Sequence, residues 1–230
     1  MVDHAHGALR QAMMRGELLP DQRLKPRDIA AALSISETPV REALQRLAQE
    51  GLVVLEPRRA MRVRRLTLEE YLELRDIREQ LESLAAIRAL PALRDGALPV
   101  LRRLHEEVAD SRACADWEAV RQANFEFHFT IYRASAMPAL VGLLETMWAR
   151  SGPTIAELYA HAQASFAGRH PHLEALDAIE ADDAPALAAA IVRDMREGGA
   201  RLVARMRAER RAGRDPDGAA APASAGGAAG

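Results

Sequence analysis

A chain of 230 residues with 49% hydrophobic and 28% charged side chains can build two cores of ordinary domain size. Its single cysteine, Cys114, excludes an internal disulfide, and no stretch has the apolar length of a membrane span or the layout of a signal peptide, so a cytoplasmic protein is expected. The formal charge of −2 hides an asymmetry: residues 1–65 hold 12 Lys/Arg against 8 Asp/Glu, and the remainder 19 against 25. A basic amino-terminal part on an acidic remainder suits phosphate contact at one end only.

In chain order, His4 and His6 lie near a terminus expected to be unstructured, and surface roles are their default. Arg27 to Leu33 has helical spacing through Ile29, Ala30 and Leu33 and leads into the short turn Ser34-Ile35-Ser36. A second helix follows: Ser36 or Thr38 can cap it, and Pro39 is tolerated in its first turn. Val40, Leu44 and Leu47 form an apolar stripe, and Gly51 stops the helix. Arg41, Gln45 and Arg46 fall on the opposite face. Residues 53–55 and 61–63 can pair as a hairpin around Glu56-Pro57-Arg58-Arg59-Ala60. Helix, turn, helix and hairpin together make a winged helix.

Beyond the wing the period is helical. Thr67-Leu68-Glu69-Glu70 reads as a capping box opening a helix to Leu90, with Leu74, Ile77, Leu81 and Leu84 buried and Pro91 marking its end. Further helices are predicted at about 98–113, 116–134, 138–151, 154–166, 172–180 and 184–208. No stretch between 66 and 212 alternates with period two, so this part is expected to be all-α. Gly213 to Gly230, made of Ala, Gly, Pro and Ser with no apolar periodicity, reads as a disordered tail. The expected fold is mainly α: a winged helix-turn-helix domain over 1–65, an all-helical bundle over 66–212 and the tail.

The residues Gly16-Glu17-Leu18-Leu19-Pro20, the core Thr38-Pro39-Val40-Arg41-Glu42-Ala43-Leu44 with Glu50-Gly51-Leu52-Val53, and the basic wing resemble the GntR family of bacterial transcription regulators. The resemblance implies operator contacts from Arg27, Ser36, Glu37, Thr38, Arg41, Gln45, Arg58 and Arg59. Many relatives carry Arg where this chain has Glu37. A carboxylate there can accept from a cytosine amino group or turn the helix away from wrong operators, or it can simply favour the positive end of the helix dipole.

Arg78-Glu79-Gln80-Leu81-Glu82, Asn124-Phe125-Glu126-Phe127-His128, and His172 with Ala178-Ile179 beyond it resemble the ligand-binding FCD domain of the FadR-like branch. In that branch an Asp four residues before a His, with two later histidines, holds a divalent metal. The matching positions here are Asn124, His128, His172 and Asp194, so Asn stands for Asp and Asp for the last His. Asn124 and His128 are one helical turn apart and project to the same side, as a metal site on a helix requires. Two imidazoles with a carboxylate suit zinc, nickel, manganese or iron. A plain reading stands beside this one, with His128 a satisfied core histidine and Asp194 an exposed helix residue flanked by Arg193 and Arg196.

By the same resemblance Arg78 points a cation toward the ligand cavity, where a guanidinium can grip a carboxylate with two prongs; an inter-helix ion pair is the alternative. His170, beside Pro171, is expected in a surface loop, and His161 is ambiguous. Phe125, Phe127, Phe129 and Trp148 read as core. The resemblance implies a homodimer on an inverted-repeat operator, released by a small organic-acid effector, with no membrane partner. A metal-dependent enzyme and an architectural DNA-binding dimer without effector are the alternatives. Against the enzyme, the chain has no nucleophile elbow, phosphate loop, zincin signature or Rossmann glycines.

Overall fold

The computed structural model describes residues 1–56, 60–161 and 168–212, without the side chains of 158–161. Arg58, Arg59, the side chain of His161 and the expected tail from Gly213 lie outside the described residues.

The amino-terminal segment is helical, contrary to expectation. Helix α1 (Val2–Met14) buries Ala5, Leu9 and Met13, which recur every four residues and so form one face. Helices α2 (Pro26–Ala32) and α3 (Glu37–Gln49) follow, joined by a turn in which Ser34 is left-handed with φ 55°. The buried face of α1 lies on α3, and its rim is tied by Arg46 to Asp3 (2.6 Å) and by His6 and Arg10 to Glu50 (2.6 and 3.0 Å). His6 therefore has a partner at the C-cap of α3, Glu50, whereas His4 stays exposed.

In α3 the stripe Val40, Leu44, Leu47 is fully buried, together with Ala43. Gly51 takes φ 74°, the left-handed conformation that lets the chain leave the helix. Strands β1 (Val53–Leu55) and β2 (Met61–Val63) pair antiparallel with Val53 opposite Val63, and Arg23 adds a bridge to Arg62. This is the wing.

The body is helical throughout its described residues: α4 (Leu68–Ala92), α5 (Leu98–Ala113), α6 (Trp117–Ala134), α7 (Pro138–His161), α8 (Pro171–Glu180) and α9 (Ala184–Arg211). The capping box forms, with Thr67 Oγ1 accepting from the Glu70 amide (3.2 Å) and Glu70 Oε2 accepting from the Thr67 amide (3.0 Å). Helix α4 packs on α6, α7 and α9, α5 on α6 and α8, and α8 on α9. Their shared core is built on Phe125, Phe127, Phe129, Ile131, Tyr132 and Leu144.

Three expectations need correction. Pro91 does not end α4, which runs to Ala92 and passes through a π-helical turn, Leu93–Ala97, before α5. Ala89, Leu90 and Leu93 remain buried across this stretch, and that burial outweighs the one hydrogen bond a proline removes. Likewise α7 continues through Gly152 and Pro153 instead of breaking into two helices, because Ser151, Gly152, Pro153 and Thr154 are all buried. Finally, Leu74 is buried as expected, but Ile77 and Leu84 are 42% and 41% exposed, so α4 turns part of its apolar side outward.

The head sits on the body without a free linker. A Cβ on Gly152 would lie 2.2 Å from the Met13 carbonyl oxygen, so only glycine lets the end of α1 come this close to α7. Beside that contact, Arg65 from the end of the wing donates twice to Glu157 of α7 (3.0 and 2.8 Å), and Arg205 of α9 donates to the same carboxylate (2.6 Å). Gly152→Ala should therefore cost about 1–3 kcal/mol, because the atom it meets is backbone and cannot swing aside. On the same helix an added Cβ at Gly142 meets nothing within 4 Å, so Gly142→Ala should be neutral or stabilising. Urea denaturation of both variants separates a tight seat from a general intolerance of alanine in α7.

Candidate DNA-reading face and effector cavity

Helix α3 turns Thr38, Arg41 and Gln45 to solvent, opposite its buried stripe. Ser36 holds the N-cap position, but its side chain makes no capping hydrogen bond and is exposed, as is Arg27 near the start of α2. Glu37 Oε2 accepts from Arg41 Nη2 at 2.9 Å. With side chains 54% and 42% exposed, such an i,i+4 pair contributes only about 0.3–0.5 kcal/mol, so DNA can take Arg41 from Glu37 at little cost. Arg46 is turned away from this group toward Asp3.

Within the body, a cavity of about 80 Å³ is bounded by Arg78, Glu82, Asn124, His128, Trp148 and Asp194, among others. That volume corresponds to roughly six waters, which suits an acid of a few carbons rather than a long chain. Arg78 is buried and its pair is within its own helix: Nε donates to Glu82 Oε1 (2.8 Å) and Nη1 to Ser151 Oγ (3.1 Å), with the guanidinium 4.4 Å from the centre of the Trp148 ring. Burial works against its charge, but Glu82 outweighs burial and raises the Arg78 pKa.

Glu82 also orders the next contacts. Its Oε1 accepts from Trp148 Nε1 (2.8 Å) and its Oε2 from the Tyr132 hydroxyl (2.5 Å). Burial and the neighbouring Glu82 push the Tyr132 hydroxyl well above its ordinary value, so it keeps its proton. Because that proton goes to Glu82, the Tyr132 oxygen can only accept from His128 Nδ1, 3.1 Å away. The network thus places a hydrogen on His128 Nδ1 and leaves Nε2 to face Asp194.

His128 Nε2 faces Asp194 Oδ2 at 3.0 Å, and His172 Nε2 lies 3.8 Å from Asp194 Oδ1. All three residues are buried, and one ligand atom of each lies within 4.8 Å of the others. Both ring nitrogens of His172 and Oδ1 of Asp194 have no hydrogen-bond partner among the described residues. Burial would raise the Asp194 carboxyl, but the His128 hydrogen bond and the imidazoles around it hold it well below the usual carboxylate range. Burial pushes His172 well below its ordinary value, so its ring is neutral. His128 Nε2 and a carboxylate at 3.0 Å need a proton or a cation between them, and the unpartnered nitrogens of His172 beside them are ligands in type and spacing. The residues fit a divalent ion. Asn124, one turn before His128, shares the cavity wall with it.

Two histidines of this neighbourhood escaped the sequence reading. His105 completes the spacing Leu101, Leu104, His105, Val108 on the inner side of α5, a pattern that could have placed it. His170 is no surface loop residue: it is half-buried, and its Nδ1 caps α8 by accepting from the His172 amide (3.1 Å). Its position before Pro171 at a helix start was the available signal. Burial pushes His170 down to about 4 and lowers His105 as well. The rings of His105 and His170 lie 5.6 and 4.6 Å from that of His172, which stacks on Phe127 at 3.8 Å.

The profile of the gntR family of bacterial regulatory proteins matches residues 2–63, and that of the FCD domain matches residues 73–197. The chain is 33% identical to the HTH-type transcriptional regulator McbR of Escherichia coli over 151 residues, 66% of this chain and 68% of McbR. The solved structure of E. coli McbR superposes with a TM-score of 0.81 at 28% identity, over 89% of this chain and 97% of that one. A GntR-type regulator from Rhodococcus sp. RHA1 gives a TM-score of 0.68 at 26% identity, over 88% of this chain and 97% of its own. A winged helix with an exposed reading face, set on a helical body that clusters His128, His172 and Asp194, is thus matched along nearly its whole described length: the chain belongs to the GntR family, as a DNA-binding transcription regulator with an FCD domain.

Proposed function

We propose that the protein is a homodimeric regulator whose operator affinity is set by a small organic acid bound in the body, with the division at residue 65 separating reading from sensing. The observation that carries this reading is the position of the cavity: its wall includes Met14, Arg15 and Gly16 from the end of α1 as well as residues of the body. An occupant would touch the reading head itself. Release of DNA on binding then follows from a head geometry that differs between the two states.

On the DNA side, Arg41 reads a base edge, with Thr38, Gln45, Ser36 and Glu37 around it. Arg27, Arg58 and Arg59 contact backbone or minor groove. One winged helix reads too few base pairs to find an operator, so two heads are held over an inverted repeat. Support for a partner comes from α4, whose Ile77, Leu84 and Ile87 lie at helical spacing and are 42%, 41% and 43% exposed. No helix among the described residues is long and apolar enough to cross a membrane, which accords with a cytoplasmic protein.

On the sensing side, Asn124, His128, His172 and Asp194 would hold a divalent ion such as zinc, nickel, manganese or iron. When bound, the ion would offer the effector carboxylate an open coordination position. His128 donates from Nδ1 to Tyr132 and so presents Nε2, the arrangement that ligating histidines usually show. Arg78 holds Glu82 in place behind this set and contributes charge to the cavity wall.

Arg41→Ala should abolish sequence preference and leave weak, salt-sensitive binding, a loss of about 1–3 kcal/mol of discrimination. A footprint over two half-sites with unchanged selectivity would defeat the assignment of Arg41. For the body, His128→Ala and His172→Ala should each lose the metal found by elemental analysis of untagged protein, and with it any rise in melting temperature on adding zinc. Wild-type protein holding well under one ion per chain and unmoved by zinc would mean that the departures at 124 and 194 have made the site a plain polar pocket.

A further inference from the structure

Among the cations on the cavity wall, Arg78 is fully occupied by Glu82, Ser151 and Trp148. Arg121, on α6, is different. It lines the cavity and is half-buried, its Nε is shielded from solvent without a hydrogen-bond partner, and it has no ion pair within 4.0 Å among the described residues. Arg15, at the end of α1, lines the same cavity. Its Nε is likewise buried without a partner, and its ion pairs are long, 3.7 Å to Glu126 and 4.0 Å to Glu17. Both reach the seam: a Cβ on Gly16, next to Arg15 in the chain, would lie 3.3 Å from Arg121 Cδ and 2.9 Å from Ala156 Cβ. Both also line a shallower cleft on the outer side, whose carboxylates Glu17, Glu107, Asp116 and Glu118 leave Arg121 without an ion pair.

A half-buried guanidinium with no counter-charge is costly unless something completes it. Here Arg121, with no ion pair among the described residues, and Arg15, with only long ones, border one small cavity whose histidine pole, His128 and Asp194, begins about two turns along α6 from Arg121. We propose that Arg121 and Arg15 form an anion clamp for the far carboxylate of a small dicarboxylic acid, whose near carboxylate lies toward the histidine pole. This rests on the reading that the effector occupies the cavity, and it deepens that reading in two ways. It selects a dicarboxylate over a monocarboxylate, since only the former reaches both the arginine pair and a divalent ion held at the histidine pole. It also makes the effector a direct bridge between reading head and body, because Arg15 sits at the C-cap of α1 and Arg121 lies on α6.

The test uses the full chain with the dicarboxylates succinate, glutarate and adipate, each against its monocarboxylate partner butyrate, valerate or caproate at matched ionic strength. Calorimetry should show at least one diacid binding the wild type more tightly than its partner. Arg121→Gln and Arg15→Gln should each weaken that diacid about tenfold or more and leave the monocarboxylate unchanged. Without ligand, Arg121→Gln should melt at or above the wild-type temperature, since it removes an unpaired charge; a drop of several degrees would mark Arg121 as structural and overturn the clamp. Equal binding of diacid and monoacid, equal binding by wild type and variants, or no binding of any of the six acids would overturn it too. Operator titrations in parallel separate the two ideas. Diacid selectivity lost in Arg121→Gln with operator affinity indifferent to the acid keeps the clamp and removes the regulatory reading; an operator response undiminished in both variants removes the clamp and keeps the response.

Discussion

The carboxylate of Glu82 is the group around which the interior of the body is arranged. It is 1% exposed and accepts from Arg78, Trp148 and Tyr132, so it ties α4 to α7 through the indole and to α6 through the phenol. A buried charge tolerates this position only when its partners are complete, and removing one partner of such a pair typically costs about 3–5 kcal/mol. The consequence reaches the histidines: because Tyr132 gives its proton to Glu82, His128 spends Nδ1 on Tyr132 and turns Nε2 toward Asp194. The histidine chemistry is thus fixed from one layer away, by a residue that itself lines the cavity.

The same economy of contacts governs how the head meets the body. Helix α1 packs on α3 with its apolar face and on α7 at its end, so a single helix belongs to both units. Glu157 is gripped by Arg65 of the wing's last residues and by Arg205 of α9, which fixes the head at a second point. Two seats on successive turns of α7 resist rocking better than one. A cavity whose wall includes the end of α1 therefore needs no long chain of intermediate residues to reach the reading helix: α1 lies directly on α3.

What could be read from sequence was local. The stripe Val40, Leu44, Leu47, the capping box at Thr67 and the glycine stop at Gly51 each carry their cause within a few residues, and each is found where expected. Helix α1 was missed because Gly7 and the flanking histidines dilute a stripe of Ala5, Leu9 and Met13 that has meaning only once α3 covers it. Pro91 and Pro153 were read as breaks because a proline's cost is local, whereas the burial that overrides it is tertiary. Ile77 and Leu84 show the converse error, since periodicity tells apolar from polar but not core from outer face. Of the site, His128 and Asp194 stand 66 positions apart and came together only through the resemblance; no spacing predicts their contact at 3.0 Å. Arg121 gave no signal at all, because an unpaired cation is recognised only by the partners it lacks.

The departures at positions 124 and 194 are best understood as a transfer of charge, not a loss. The branch this chain resembles carries its carboxylate one turn before the first histidine and an imidazole on the last helix; here the carboxylate is Asp194 on α9 and the amide Asn124 takes the place on α6. The four positions still hold one carboxylate, and it is ionised. The exchange has two physical effects. It sets the negative charge directly opposite His128 Nε2, which calls for a cation or proton between them. It also leaves at Asn124 a side chain that can both donate and accept, on the same wall as Arg121. An anion in the cavity would then meet a neutral donor where the usual arrangement has a repelling carboxylate, so the exchange turns the α6 side of the cavity from acidic to receptive.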